Sequence, residues 1–336
     1  MISIICPIYN EEKYIGRCIE SIFNSDYPVE DMEVLFIDGM STDRTREIIT
    51  QYMVRYPQLR LLNNPAKIVS PALNIGIKEA KGEIIFRLDA HAIYPTHYFS
   101  VLTRYLVELD ADNVGGVCRT LPVNTSPVCT AIASALSCPF GMGNSYFRIG
   151  SKEIKKVDTV PFGCFKKEIF KRIGFFDEEL IRNQDDEFNG RIIKTKGTIY
   201  LIPEIVIDYF ARDSIKKVIK MFYQYGLFKP LVNKKLGRPS SIRQFFPVFF
   251  VIGLITGGIW SIISSKIVFL YLSVLGLYIL LALYYSINEV KKTGNKSIFF
   301  LLPGLFAVIH ISYGVGYLVG IYKILSKKSF SARSNR

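Results

Sequence analysis

The chain has 336 residues, 49% of them hydrophobic, with 42 Lys and Arg against 29 Asp and Glu, a formal net charge of +13. Such a length suffices for one large or two modest domains with a full core. The charge excess does not read as a nucleic-acid surface: residues 1–210 carry 24 basic and 27 acidic side chains, and residues 211–336 carry 18 and 2. The basic groups thus gather around apolar segments, as they do at a cytoplasmic membrane face rich in anionic lipid. The six cysteines show neither a CxxC pair nor a metal-finger spacing and read as buried cytosolic thiols. Met1–Pro7 lacks the charged start and the length of a signal peptide and reads as a buried strand.

In chain order, Ile2–Cys6 is an apolar strand stopped by Pro7, and Glu11–Phe23 has helical spacing at Ile15, Ile19, Ile22 and Phe23. Met32–Ile37 is a second strand ending at Asp38-Gly39, after which Ser41 or Thr42 can cap a helix through Ile48, Ile49 and Tyr52. Leu59–Leu62 is a third strand, Pro71–Ala80 a helix and Ile84–Leu88 a fourth strand. This alternation predicts βαβ units and a mostly parallel sheet. Ligands of such sheets sit at the carboxyl ends of the strands, so Tyr9, Asn10, Asp38 and Asp89 share one edge. Residues 115–180 are punctuated by Gly and Pro and predict loops and short strands around a substrate cavity. Gln184–Lys196 predicts a helix that opens with acids, and Asp213–Phe228 an amphipathic helix that suits either a membrane surface or a core.

Three uncharged apolar spans follow, Phe245–Ile263, Ile267–Ile287 and Ile298–Tyr322, each near the roughly 20 residues needed to cross a bilayer. The third contains Pro303, His310 and four glycines, a composition that also allows a broken or re-entrant path. Three full crossings would place Lys327, Lys328, Arg333 and Arg336 outside, against the positive-inside rule, so the side of the C-terminus stays open. The expected division is residues 1–210, an interface region 211–243, apolar helices 244–325 and a basic tail 326–336.

Four constellations could carry chemistry. Tyr9 and Asp38, at strand ends, offer an aromatic wall and a carboxylate to a nucleoside, although strand-end Asp residues also cap helices. Asp89 and His91 can hold a divalent ion against a diphosphate; imidazole beside carboxylate suits Mn²⁺, and oxygen alone suits Mg²⁺. Gln184-Asp185-Asp186-Glu187 places three acids in a row, where like charges raise one another's pKa and one could act as general base. They could equally answer a helix dipole. Gln224 to Lys229 could close over a diphosphate or anchor at an interface, and His310 could serve function or bond a neighbouring helix.

Together these pieces resemble family 2 glycosyltransferases of the GT-A fold, an α/β, Rossmann-like nucleotide-diphospho-sugar transferase domain, here followed by a C-terminal α-helical transmembrane region. They resemble in particular the bacterial membrane-anchored branch that includes the succinoglycan enzyme ExoA. It rests on Ser3–Glu11, Ile37–Asp43, Ala72–Gly76, Arg87–Ala92, Asn183–Asn189 with Arg191, and Gln224-Tyr225-Gly226. The resemblance implies an inverting hexosyltransferase that uses a nucleotide-diphosphate sugar, commonly UDP-linked, with Mn²⁺ or Mg²⁺. By that match Pro7, Tyr9, Glu11, Asp38, Asn74, Arg87 and Asp89 fall on the donor side, and Asp89 and His91 on the metal position. Asp185 falls on the general base, and Asp186, Glu187, Arg191, Gln224 and Lys229 on the acceptor or diphosphate side.

Leu227 and Phe228 stand where related synthases keep Arg and Trp, which argues against processive synthesis, and Gly190 stands where a Tyr is usual, which implies an altered acceptor-side wall. The expected acceptor is a lipid-linked polyprenyl glycan, at a cytoplasmic membrane crossed several times, with the catalytic domain cytosolic and no nucleic-acid partner. Other polysaccharide-assembly proteins would be neighbours. The alternatives are a polyprenyl-phosphate glycosyltransferase and a catalytically silent nucleotide-sugar-binding component of an export complex.

Overall fold

The computed structural model describes residues 1–330. Arg333 and Arg336 of the basic tail lie outside the described residues. The chain divides into two compact units, one from residues 1–119 and 150–209, the other from residues 120–149 and Phe210 onward. Residues 120–149, which the sequence reading kept with the N-terminal domain, belong to the second unit.

The elements run β1 (Ile2–Ile8), α1 (Ile15–Phe23), β2 (Met32–Asp38), α2 (Thr45–Arg55), β3 (Leu59–Asn63), α3 (Val69–Glu79), β4 (Ile84–Arg87), β5 (Ala92–Ile93), α4 (Tyr98–Glu108) and β6 (Asn113–Leu121). Then come α5 (Pro127–Leu136), α6 (Pro139–Met142), α7 (Tyr146–Ile149), β7 (Lys155–Lys156), β8 (Cys164–Lys166), α8 (Glu168–Ile173), α9 (Gln184–Lys194) and β9 (Ile199–Phe210). The chain ends in α10 (Ile215–Leu236), α11 (Phe245–Ser261), α12 (Ser265–Thr293) and α13 (Leu301–Leu325).

The sheet of the first unit has the order β3-β2-β1-β4-β8-β6-β9-β5. Strands β3, β2, β1 and β4 are parallel, with Ile8 opposite Asp38 and Ile5 opposite Arg87. Strands β1 and β2 are buried at all seven positions each, as expected of parallel strands covered on both faces. Helix α3 lies so close on this layer that a Cβ at Gly76 would stand 2.4 Å from Ile5 Cγ2, which explains the glycine that ends the Ala72–Gly76 motif. The stretch read as loops holds more regular structure than its Gly and Pro content suggests: β6 runs nine residues, and helix α5 carries its proline in the first turn behind Ser126, whose side chain accepts from the Cys129 N–H. The twelve-residue β9 has no counterpart in the sequence reading.

The second unit is helical. Helix α10 runs 22 residues, so Gln224–Lys229 lies inside it rather than after it. Helix α13 is unbroken over 25 residues; Pro303 sits in its first turn, where a missing N–H costs nothing. Three of its four glycines are contacts, not kinks; a Cβ at the fourth, Gly304, would meet nothing within 4 Å. A Cβ at Gly316 would stand 2.2 Å from Tyr223 O, and one at Gly320 2.4 Å from Leu227 O, both on α10; one at Gly314 would stand 2.3 Å from Pro247 O on α11. Small residues permit such close helix approach, a habit of helices packed in lipid. Among the described residues, two helices are long and apolar enough to cross a membrane, Lys266–Thr293 and Leu301–Leu325. Helix α11, expected as a third, has 17 residues, or about 26 Å at 1.5 Å per residue, short of the roughly 30 Å hydrocarbon layer. His310 is buried and spent on structure: its ring nitrogens lie 2.9 Å from the Tyr278 hydroxyl and 2.9 Å from Phe140 O.

Candidate active site

The carboxyl ends of β1, β2 and β4, with the start of α9, gather most of the expected site residues. Two loops frame the first edge. The Asn10 N–H donates to Ser41 Oγ at 2.9 Å, the Thr42 N–H to Asn10 Oδ1 at 2.9 Å, and the Glu11 N–H to Thr45 Oγ1 at 2.7 Å. Asn10 and Met40 have positive φ, 54° and 64°. Asn accepts that conformation easily and Met does not, so the reciprocal bonds hold a turn the chain alone would avoid. The cap of α2 differs from expectation. Ser41 and Thr42 are engaged in these loops, and Asp43 Oδ1 receives the Thr45 N–H at 3.0 Å.

Asp38 is fully buried and saturated. Its carboxylate accepts from the Ser41 N–H at 3.1 Å, from the Ser41 hydroxyl at 2.6 Å and from the Arg46 guanidinium, which also reaches Asn63 Oδ1 at 2.9 Å. Asp38 therefore holds Ser41 and Arg46 in place at this strand edge. Pro7 is buried within β1, and the Tyr9 ring packs over Gly39, where a Cβ would meet Tyr9 Cδ2 at 3.4 Å.

At the β4 edge, the Leu88 N–H donates to Ile5 O at 2.9 Å, and the chain then leaves the sheet. Arg87 is 8% exposed, its guanidinium carbon 5.5 Å from the Phe162 ring centroid. A single nitrogen, Nη2, lies 3.1 Å from Asp89 Oδ1 and 3.7 Å from Asp185 Oδ2, and Nε has no hydrogen-bond partner among the described residues. Burial works against this charge, but Asp185 and Asp89 outweigh it and hold the guanidinium firmly protonated. His91 places Nδ1 3.7 Å from Glu11 Oε1 and Nε2 3.9 Å from Asp89 Oδ2, and its ring lies 5.6 Å from that of Tyr209.

Helix α9 starts after Asn183 in the left-handed region, φ 62°, and carries all three acids in its first turn. Burial pushes the Asp185 carboxyl above the usual aspartate range; Arg87 opposes this, and Asp89 and Asp186 reinforce it. The side chain keeps 35% of its surface open, so water tempers the shift. Glu187 is different. It is held by Arg191 at 2.7 Å and 2.9 Å, and Arg191 also donates to Ile173 O and, at 2.7 Å, to Phe175 O. Glu187 and Arg191 thus fasten α9 to the chain that follows α8. Asn74 is likewise spent, its amide bonding Phe176 O at 2.9 Å, Glu178 Oε1 at 2.8 Å and the Phe176 N–H at 2.9 Å. Gln224 and Lys229 are buried within α10 of the second unit.

Among the described residues, no group of three His, Cys, Asp or Glu side chains is arranged to hold a metal. Asp89 and His91 nonetheless supply a carboxylate and an imidazole that could face one ion, though their 3.9 Å separation is wider than the roughly 3 Å between neighbouring ligands of an octahedral shell. A small hard cation often takes only one or two protein side chains and fills its shell with water and substrate phosphate. The sequence reading missed Arg46 and Tyr94. Only the structure shows Tyr94, five residues past Asp89, returning to its backbone.

An α/β sheet with carboxylates at the carboxyl ends of its parallel strands is a fold that takes its ligands at that edge. Residues 3–173 match the model of glycosyl transferase family 2, and the chain belongs to that family. Over 329 residues it is 32% identical to a dolichyl N-acetyl-alpha-D-glucosaminyl phosphate 3-beta-D-2,3-diacetamido-2,3-dideoxy-beta-D-glucuronosyltransferase of Methanococcus voltae, covering 96% of this chain and 97% of the relative. It is 28% identical to the succinoglycan biosynthesis protein ExoA of Rhizobium meliloti over 247 residues, 73% of this chain and 74% of that one. The resemblance to the ExoA branch is therefore borne out. The fold matches a mannosyltransferase of Pyrobaculum calidifontis solved with GDP-Man and Mn²⁺, with a TM-score of 0.62, 16% identity, and 96% of this chain and 87% of that one covered. The protein is a glycosyltransferase.

Proposed function

We propose that this glycosyltransferase moves a hexose, with inversion, from a nucleotide-diphosphate sugar to a lipid-linked polyprenyl oligosaccharide during synthesis of exopolysaccharide or another cell-surface glycan. The observation that carries the reading is the single Arg87 nitrogen shared by Asp89 and Asp185. It brings a strand-end acid suited to a donor diphosphate within reach of a helix-start acid suited to an acceptor hydroxyl. Asp185 takes the acceptor proton on a carboxylate oxygen; the freed oxygen attacks the anomeric carbon from the face opposite the leaving group, and the nucleoside diphosphate departs. Asp89 and His91 would hold Mn²⁺ or Mg²⁺, which when bound neutralises charge on the leaving diphosphate. Tyr9 and the Asn10–Glu11 loop line the nucleoside side, with Asp38 fixing Ser41 and Arg46 beside them. Asp186 serves the acceptor side.

A UDP-sugar is the donor implied by the family resemblance, and the GDP-Man complex of the structural neighbour makes GDP-sugars the second class to try. The lipid acceptor is supported by the name of the Methanococcus voltae relative, which acts on a sugar already joined to a lipid phosphate. That favours elongation over addition of a first sugar to bare polyprenyl phosphate. Helices α12 and α13 support residence in the cytoplasmic membrane with more than one crossing and a cytosolic catalytic unit. The test is nucleoside diphosphate release from UDP- and GDP-sugars by detergent-solubilised protein, with Mn²⁺ or Mg²⁺ and native lipid extract. Release from one donor that disappears in Asp185→Asn supports the reading. Release that persists in that variant refutes the base, and silence with every donor favours a binding component of an export complex.

A further inference from the structure

Resting on the reading that Asp89 faces the donor, we infer that Tyr94 is a positioning residue whose hydroxyl clamps the backbone of Asp89 and so aims its carboxylate. Strand β4 ends at Arg87, and its last ladder contact is the Leu88 N–H to Ile5 O. Pairing resumes only at Ala92, opposite Tyr209. Asp89 lies between these two pairings. One phenol oxygen serves both of its backbone groups: the Asp89 N–H donates to it at 2.8 Å, and it donates to Asp89 O at 3.0 Å.

The phenol cannot swing away. Tyr94 is 3% exposed, with its ring 4.9 Å from that of Tyr98 and 5.9 Å from that of Phe162. Fixing both ends of one residue's peptide units fixes the direction of its Cα–Cβ bond. The consequence is a carboxylate held between Arg87 and His91 before any ligand arrives. Groups that orient a ligating side chain typically contribute 10–100-fold to metal affinity or activity.

Tyr98 supplies the control. It is equally buried in the same aromatic cluster, and its hydroxyl donates to Phe162 O at 2.7 Å without touching Asp89. The experiment compares Tyr94→Phe, Tyr98→Phe and Asp89→Asn in the full chain. The readout is Mn²⁺ uptake in the presence of UDP or GDP, followed by the paramagnetic resonance of free Mn²⁺, beside thermal midpoints and the kcat and KM for donor. Tyr94→Phe should weaken uptake about 10–100-fold, and Tyr98→Phe should leave it at the wild-type value. If Asp89→Asn loses Mn²⁺ but Tyr94→Phe keeps it, the clamp is wrong and the donor-side reading stands. If Tyr98→Phe weakens uptake as much as Tyr94→Phe, the effect belongs to the aromatic core, which also overturns the clamp. Wild-type uptake in Asp89→Asn removes the ion reading and the clamp together.

Discussion

Two pairs of carboxylates in the first unit differ in how their charge is spent. Asp38 and Glu187 are enclosed, Asp38 by Ser41 and Arg46, Glu187 by both arms of Arg191. Asp89 and Asp185 are more open and lean on one nitrogen of a buried arginine, at 3.1 Å and 3.7 Å. A saturated carboxylate stabilises a fold and has little left to offer a substrate. A carboxylate that shares one cation keeps lone pairs for a ligand or a proton. Similar residue types at strand ends and in a helix first turn thus divide into a pair spent on the scaffold and a pair open enough for the chemistry proposed for them.

The sharpest break of this comparison is Asp185→Asn. Loss of a general base should lower kcat by roughly 10²–10⁴-fold while donor binding and thermal midpoint stay near wild type. A stability loss with intact turnover would move Asp185 into the scaffold pair. The converse test is Asp38→Asn, which leaves Arg46 beside a neutral group and removes an acceptor from a buried turn. It should destabilise the protein by about 1–3 kcal/mol, visible in denaturant titration, with a far smaller effect on kcat.

Acidity separates the pairs further. Asp185 must be ionised to accept a proton, and burial first, then Asp89 and Asp186, raise its pKa. Activity should therefore fall as pH drops through a midpoint above the ordinary aspartate value of about 3.9. Arg87 lowers that pKa, so Arg87→Met should move the acid limb of kcat upward. A pH–rate profile unchanged by Arg87→Met would separate the two acids.

How much of this was legible beforehand follows from which forces are local. The alternation of apolar strands and helices predicted the parallel layer, and strand-end logic predicted that Asp38 and Asp89 share an edge, because both depend on periodicity over a few residues. Asn74, Glu187 and Arg191 were read as ligand-facing from the resemblance. Their partners, Phe176 O, Glu178 and the carbonyls of Ile173 and Phe175, come from distant or loop segments that no local pattern reveals. The glycines of α13 suggested a break because glycine is a poor helix former. Tertiary packing reversed that sign, since only Cβ-free positions admit the α10 and α11 carbonyls at these distances. Tyr94 was invisible for a similar reason: nothing in its neighbours announces a hydroxyl turned back to Asp89.

The smallest effect tests the border between the pairs. Ser41 donates to Asp38 Oδ1 at 2.6 Å and receives the Asn10 N–H at 2.9 Å, so it joins the saturated acid to the loop proposed to face the nucleoside. Ser41→Ala removes both bonds but leaves Asp38 with the Ser41 N–H and Arg46. The stability loss should be about 1 kcal/mol, the ordinary net worth of a hydrogen bond. The kinetic consequence should fall on binding: a looser Asn10 loop weakens donor and transition state equally, which raises the donor KM at unchanged kcat. A fall in kcat instead would mean that the Asp38 turn reaches the reacting atoms, and the division between scaffold and chemical carboxylates would have to be redrawn to include it.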